Sequence, residues 1–585
     1  MRYITKIYST AIMMMAAVII ACSGGSETIE DVKPVTPDTP KTLNKYTFTV
    51  NASKSAGKSN TRALSLDGNT LNSSWATSEH IYVKKGSTWA TGALQPQSNE
   101  ANAQLSGTLS DITINAGDDL TLQFPRQDID YTGQIGTIED IAAKYDYATA
   151  TARVTGVSDG NISANPVTFD NQQAIVKFTL NKYNGEAIDL TSLTISSANN
   201  KIVQSIAEPS GTIQYGSITI TPTEATNEVF VAIRQSEADD ITLTASDGTY
   251  TYLFTKENML FDAGKYYSVT VKMERVVDVS SFDFNAELMN GDILTGTDND
   301  SNHGIYLPWG YPYTEITFMD MNFKGEIWNN STCETRINIK GHNELNNLSS
   351  LGDLSGSSCS LILKGDGTLQ LSGGLNVHRS VLTIENGTID VKGSGINIFC
   401  GEVDIKGGIV TTIPSFDNTC GIGIGYMGSI EISGGSVTAT GTSSHAGIGT
   451  VQHVNGSFIY DPESETGTDP QQIYATINIS GGTVNASGGS NAAGIGSSAG
   501  GEGVNNNIFL SINISGGEVF ATGGINACGI GYGYQSSCGD ISITGESTRV
   551  TSTKGEGSEY NIDASFVKIG NISGSIKDSP YIYPE

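Results

Sequence analysis

The sequence predicts an all-β protein, with antiparallel β-sandwiches in its N-terminal half and a parallel β-helix in its C-terminal half. Three observations predict it. Short apolar runs alternate with period two from Tyr46 onward. Gly-punctuated segments repeat through the C-terminal half. Gly is abundant at 68 residues and charged residues are sparse at 16%, a composition of turn-rich β structure.

At 585 residues the chain is too long for one core. The formal net charge of −29 leaves little to neutralise phosphates, so nucleic acid is excluded as an expected partner.

Residues 1–21 read as a lipoprotein signal peptide. Arg2 and Lys6 precede an apolar run from Ala11 to Ala21, which is too short to span a bilayer. The run ends in Ile19-Ile20-Ala21-Cys22, which looks like a lipobox, so Cys22 is the candidate lipidation residue. The acidic residues Glu27, Glu30 and Asp31 behind it resemble surface-export signals of Bacteroidota lipoproteins. Membrane contact is then expected through the N-terminal lipid only. Residues 22–43, with Pro34, Pro37 and Pro40, read as an extended tether.

Two sandwiches are expected, over residues 44–165 and 166–275. Tyr46, Phe48 and Val50 alternate with Thr47 and Thr49, and Ala174, Val176, Phe178 and Leu180 alternate likewise. Ser246-Asp247-Gly248 between Ile241-Ala245 and Tyr250-Phe254 predicts a hairpin, and Asn199-Asn200 predicts another. Ile138 to Ala150 is the best helix candidate.

Several ordered segments here resemble the fimbrillin family, the pilin-like surface lipoproteins of Bacteroidales. They are Thr61-Arg62-Ala63, Trp75 with Glu79-His80-Ile81-Tyr82-Val83, Leu105-Ser106-Gly107-Thr108-Leu109, Phe124-Pro125-Arg126, Tyr131-Thr132-Gly133-Gln134, Asp146-Tyr147 and Ala263-Gly264-Lys265-Tyr266-Tyr267. The resemblance covers roughly Lys45 to Met273. It implies transthyretin-like sandwiches, an outer-membrane, cell-surface location and a role in a fimbrium (pilus) or in adhesion. In polymerising members an Arg-specific protease cuts after the first strand, and a neighbouring subunit fills the groove by β-strand addition. Arg62 and Ala63 stand where that cut would fall; the alternative is an exposed loop residue in an uncut lipoprotein. Shaft pilins end after the second sandwich. The long domain that follows here favours a tip, accessory or free-standing adhesin, with other fimbrial subunits as candidate partners.

Residues 276–585 are expected to form a right-handed parallel β-helix. Ile430-Glu431-Ile432-Ser433-Gly434-Gly435 is echoed by Ile477-Asn478-Ile479-Ser480-Gly481-Gly482 and Ile512-Asn513-Ile514-Ser515-Gly516-Gly517. Each runs on to a Gly-Ile-Gly element, and weaker copies precede them, with Leu363, Ile384 and Ile405 spaced at intervals of 21 residues. Ile432, Ile479, Ile514 and Ile543 should stack as one inner ladder, and Val437, Val484 and Val519 as another. Cys420 and Cys528 share a slot with Ala446 and Ala493, so small buried thiols are expected. The Cys528–Cys538 pairing is left open. Residues Phe282 to Asn343 should form the first coils and the tail from Gly555 should cap the far end. The stretch from Val277 resembles a β-helical domain often named carbohydrate-binding in bacterial surface proteins.

No catalytic constellation is expected, and no cofactor. β-Helix hydrolases and lyases need clustered carboxylates, whereas Asp404 and Asp540 stand several repeats apart. Asp298-Asn299-Asp300-Ser301-Asn302 offers oxygens for calcium without the spacing of a calcium loop, so no metal site is expected and a solvated turn is preferred. His445 and His453 flank a loop without pattern. Candidate glycan-binding residues are Trp309, Tyr311, Tyr313 and Trp328 in one group, and Tyr426, Tyr532 and Tyr534 behind the Gly-Ile-Gly elements. Each could equally pack a coil or loop. The expected function is adhesion to a host or microbial surface ligand, with glycan capture for polysaccharide uptake as the alternative and a polysaccharide-degrading β-helix enzyme third.

Overall fold

The computed structural model describes residues 45–54, 65–67, 70–72, 74–208, 210–284, 287–308, 310–311, 313–330, 333–352, 359–451, 472–500 and 507–584. Cys22, Arg62, Ala63, Trp309 and His453 lie outside them. Among the described residues nearly all regular structure is strand.

Strand Tyr46–Lys54 buries every second side chain. It pairs antiparallel with Asn102–Leu109 and parallel with both Asn161–Ala164 and Val167–Asn171. Phe48, Trp75, Leu105, Phe124 and Phe169 fill this core, with the Trp75 ring edge-on to Phe169 at 5.2 Å. In a second core, Ala174–Lys182 pairs antiparallel with Glu228–Ile233 but parallel with Tyr266–Asp278. The sheets are therefore mixed, which corrects the antiparallel expectation. Alternation shows which face of a strand is buried and is blind to the direction of its neighbour. Ile129, Tyr131, Ile141 and Tyr145 also pack into the second core.

The Asp-Gly hairpin forms: Ser246 pairs with Thr251, and Asp247 accepts from the backbone N–H of Thr249 and Tyr250. The Asn199-Asn200 hairpin does not. The chain turns there, with Asn200 at φ +53°. Strand Ser192–Ser197 then joins Ile218–Ile220 and Asp239–Ser246, while Val203–Ala207 joins Thr212–Tyr215 and Ile129–Asp130. Local turn chemistry was right, but tertiary packing sent the two strands to different sheets. The helix candidate shortens to an α-turn, Ile138–Asp140, capped by the Thr137 hydroxyl, and a π-turn, Ile141–Tyr145. From Ala148 the β-rich Ala-Thr alternation takes over as a strand.

The C-terminal half winds into stacked coils with three short strands per turn. The first ladder runs through Ile337, Leu363, Ile384, Ile405, Ile432, Ile479, Ile514, Ile543 and Ile569. The second runs through Leu369, Ile389, Val410, Val437, Val484, Val519 and Val550. The third runs through Ile396, the isoleucines of the four Gly-Ile-Gly elements, Ile422, Ile448, Ile495 and Ile530, and then Ile562. All these side chains are shut from solvent in one core. Parallel strands stack about 4.8 Å apart, so each isoleucine lies directly over the next.

Glycine sets how closely coils approach. A Cβ on Gly449 would stand 1.6 Å from the Gly496 carbonyl oxygen. Gly435 turns its corner at φ +74°, where an L side chain is disfavoured.

Strand Tyr266–Asp278 belongs to both halves. Its end, Val276 to Asp278, pairs parallel with Ile293 to Thr295, and Ile293 pairs in turn with Thr317. The last sandwich strand is thus the first rung of the coil stack. At the far end Tyr581–Tyr583 pairs antiparallel with Arg549–Thr553, and Ile572–Ser573 with Phe566–Ile569. Reversed strands cover edges that would otherwise template further pairing.

Candidate ligand-binding surface

Alternation in each coil strand sends Ile or Val inward and polar residues outward. One outward column runs Thr383, Asp404, Glu431, Asn478, Asn513 and Ser542. Another runs Thr411, Thr438, Asn485 and Phe520. Asp404 and Asp540 sit four coils apart, as expected, but Glu431 is the immediate ladder neighbour of Asp404. That adjacency was missed, although aligning Val403-Asp404-Ile405 with Ile430-Glu431-Ile432 shows it. Asp404 is paired with Lys406 at 3.0 Å, and Glu431 accepts from the Asn478 amide.

The aromatic residues fall into two kinds of arrangement. Along one edge of the coil stack His378, Phe399 and Tyr426 lie ring on ring, at 5.0 Å and 5.8 Å. Beside them Tyr474 and Phe509 stack at 5.1 Å with planes 9° apart. Each ring covers one face of its neighbour, and Tyr474 and Phe509 remain exposed. Phe399, Tyr474 and Phe509 were missed. Aligning the repeats would have found the last two, since Met427, Tyr474 and Phe509 each stand three residues before a repeat isoleucine.

The second arrangement is a groove of about 450 Å³ beside the first coils. Phe282, Leu288, Ile305 and Leu307 line it together with Glu287, Tyr306 and Tyr311. Tyr306 is 61% exposed, and its ring lies 4.8 Å from the Trp328 ring. Register places it there, because Tyr306 pairs with Trp328 across adjacent strands. Tyr306 was also missed; its only signal was the outward position in Gly304-Ile305-Tyr306.

The remaining candidates separate. Tyr311 and Tyr313 are exposed, the latter with the Arg336 guanidinium 5.8 Å from its ring centre. Tyr534 is exposed, whereas Tyr532 packs against the coil core, where burial pushes its phenol well up. The six candidates among the described residues therefore do not form one surface.

The acidic turn is tied by its own hydrogen bonds, and Cys420 and Cys528 are buried. Asp298 is held by His303 at 2.5 Å, and Asp300 accepts from the Asn302 backbone and side chain. Those oxygens organise the turn. Among the described residues no cluster of three His, Cys, Asp or Glu could hold a metal ion. Burial pushes the Cys420 thiol up to about 11 and Cys528 to about 12, so both are protonated at neutral pH.

His445 is buried, and desolvation lowers its pKa from 6.5 to about 4. The unfolded chain therefore takes up a proton, as pH falls through 6.5, that the folded chain refuses. Stability is expected to be full above pH 6.5 and to drop by about 3 kcal/mol as pH falls from 6.5 to 4. Denaturant titrations across that range should show the drop, and His445→Gln should remove this part of it. An identical acid slope in the variant would show that His445 takes no part.

Residues 430–450, 477–500 and 512–531 match the beta helix repeat family. These are three successive coils of the stack. Comparison with curated proteins gives no match. Among solved structures, the chain is similar to a candidate cell adhesion protein from Bacteroides ovatus, at 13% identity and a TM-score of 0.25, over 40% of this chain and 95% of that one. A fimbrial assembly protein from Parabacteroides distasonis is similar at 10% identity and a TM-score of 0.23, over 40% of this chain and 96% of that one. Among the described residues no helix is long and apolar enough to cross a membrane.

Proposed function

We propose that the chain is a cell-surface adhesin, tethered by a lipid on Cys22, whose β-helix presents a ligand-binding surface away from the membrane. The observation that carries this reading is the shared strand Tyr266–Asp278, which makes the sandwich and the coil stack one continuous sheet. A binding surface on such a frame needs little ordering on contact, which favours affinity. Its ligand is on a host or microbial surface. The protein acts free-standing or as a tip or accessory subunit of a fimbrium. A glycan-capturing role in polysaccharide uptake is the second reading, favoured by the aromatic groove at Tyr306. We assign no enzymatic role, because the Asp404 and Glu431 carboxylates lie on an open strip and are engaged by Lys406 and Asn478.

Full-length protein is expected to bind a subset of spots on an array of matrix proteins, microbial surface extracts and glycans. Silence across all three sets would end the adhesin reading. N-terminal sequencing of surface-shed protein separates the assembly modes. A new terminus at Ala63 supports the fimbrial form, and lipid-blocked chains alone support the free-standing one.

A further inference from the structure

We infer that the groove at Tyr306 is a saccharide-binding site selective for uncharged sugars, an inference that rests on the glycan-capturing reading above. A saccharide platform needs an open aromatic face to meet the apolar C–H face of a pyranose, with polar groups at its rim for the hydroxyls. The columns of His378, Phe399 and Tyr426, and of Tyr474 and Phe509, stack ring on ring along a strand edge, whereas Tyr306, stacked in the same way on Trp328, also lines a groove.

Tyr306 meets the need for such a platform. Trp328 backs one side of the ring, and the residue stays 61% exposed where it lines the groove. Gly304 makes this possible, since a Cβ there would stand 2.1 Å from the Trp328 ring. The edge of the tryptophan ring therefore sits close against Gly304, and its face backs the tyrosine. A platform held this way loses little side-chain entropy on binding. The volume of about 450 Å³ lies within the ordinary range of ligand pockets. Leu288 and Leu307 give the groove an apolar floor and are themselves buried.

Charge narrows the occupant. Glu287 is the one charged residue among the described residues lining the groove, and it is exposed. A carboxylate accepts hydrogen bonds from sugar hydroxyls and repels another anion. The chain carries a net charge of −29, so its field works in the same direction. Uronic, sialic and sulfated sugars are disfavoured, and neutral hexoses or N-acetylhexosamines are favoured.

The test uses the full-length protein on an array of neutral and acidic oligosaccharides, followed by calorimetric titration of the best binder. Variants are Tyr306→Ala, Tyr306→Phe, Tyr311→Ala and Glu287→Gln, with Tyr474→Ala as the control outside the groove. Neutral glycans should bind. Tyr306→Ala should weaken them at least tenfold, whereas Tyr306→Phe keeps the platform and most of the affinity. Glu287→Gln should weaken neutral sugars severalfold and narrow the discrimination against acidic ones. Tyr474→Ala should bind as wild type. If Tyr306→Ala fails to fold by circular dichroism, Tyr311→Ala and Glu287→Gln decide the matter. A preference for acidic glycans, or unchanged affinity in the groove variants, would overturn the site while leaving the adhesin reading intact. Binding to matrix proteins with none to saccharides would do the same. Only silence on every surface removes both.

Discussion

Ile479→Asp is expected to unfold the coil stack, and Ile479→Ala to destabilise it by about 2–5 kcal/mol. Ile479 is fully buried, with Ile432 before it and Ile514 after it in register. Truncation to Ala removes the apolar contacts and leaves a gap that stacked backbones, spaced by their hydrogen bonds, cannot close. A carboxylate in the same position has no water and no partner. It either stays charged in an apolar stack or takes up a proton, and both cost several kcal/mol. Coils contact only their neighbours, so the damage should spread along the stack from the break. The control is Asn485→Thr, an exposed position on the outward face, where the change should stay within about 0.5 kcal/mol. Chemical denaturation followed by far-UV circular dichroism measures all three. An Ile479→Asp protein as stable as wild type would mean that the isoleucine ladder is not the core.

That ladder is legible in the amino-acid sequence because its signal is local. The coils that start at Ile430, Ile477 and Ile512 each repeat Ile-x-Ile, a Gly pair and a Gly-Ile-Gly element, and their ladder positions are all Ile or Val. The small slot of Cys420 and Ala446 followed from the same alignment, and both residues are fully buried. What stayed hidden depends on partners distant in the chain. Nothing in the alternation of Ala174–Lys182 indicates that Tyr266–Asp278 runs parallel to it. Val276 and Val277 fit equally well as the end of a sandwich or the start of a coil, and they are both. The groove was half legible. Trp328 and Tyr311 stood out as clustered aromatics, but Tyr306 gains its meaning only from the register that lays it against Trp328.

The shared strand also carries a buried ion pair at the junction. The Arg275 guanidinium grips Asp292 with two hydrogen bonds, Nε to Oδ1 at 2.9 Å and Nη2 to Oδ2 at 2.5 Å. Asp292 also accepts from the Met289 backbone N–H, and its side chain is 1% exposed. Burial raises its pKa, against the pull of Arg275. Nearby, the Tyr183 hydroxyl donates to Glu315, which also pairs with Lys364 of a later coil. These contacts fasten the second sandwich to the first rungs. Asp292→Ala would leave the guanidinium, 11% exposed, without its carboxylate partner and with the Tyr250 ring centre 5.0 Å away. A loss of about 3–5 kcal/mol is expected, because one partner of a buried pair is left without compensation. Replacing both partners, as Arg275→Met with Asp292→Leu, should cost less than Asp292→Ala alone, since no charge is then stranded. Scanning calorimetry should show the same order. Limited proteolysis between residues 278 and 293 should speed up in Asp292→Ala and stay slow in the double variant. If Asp292→Ala melts within a degree of wild type and resists the protease equally, the pair does not hold the junction, and the strand pairing at Val276 and the Tyr183–Glu315 contact hold it instead.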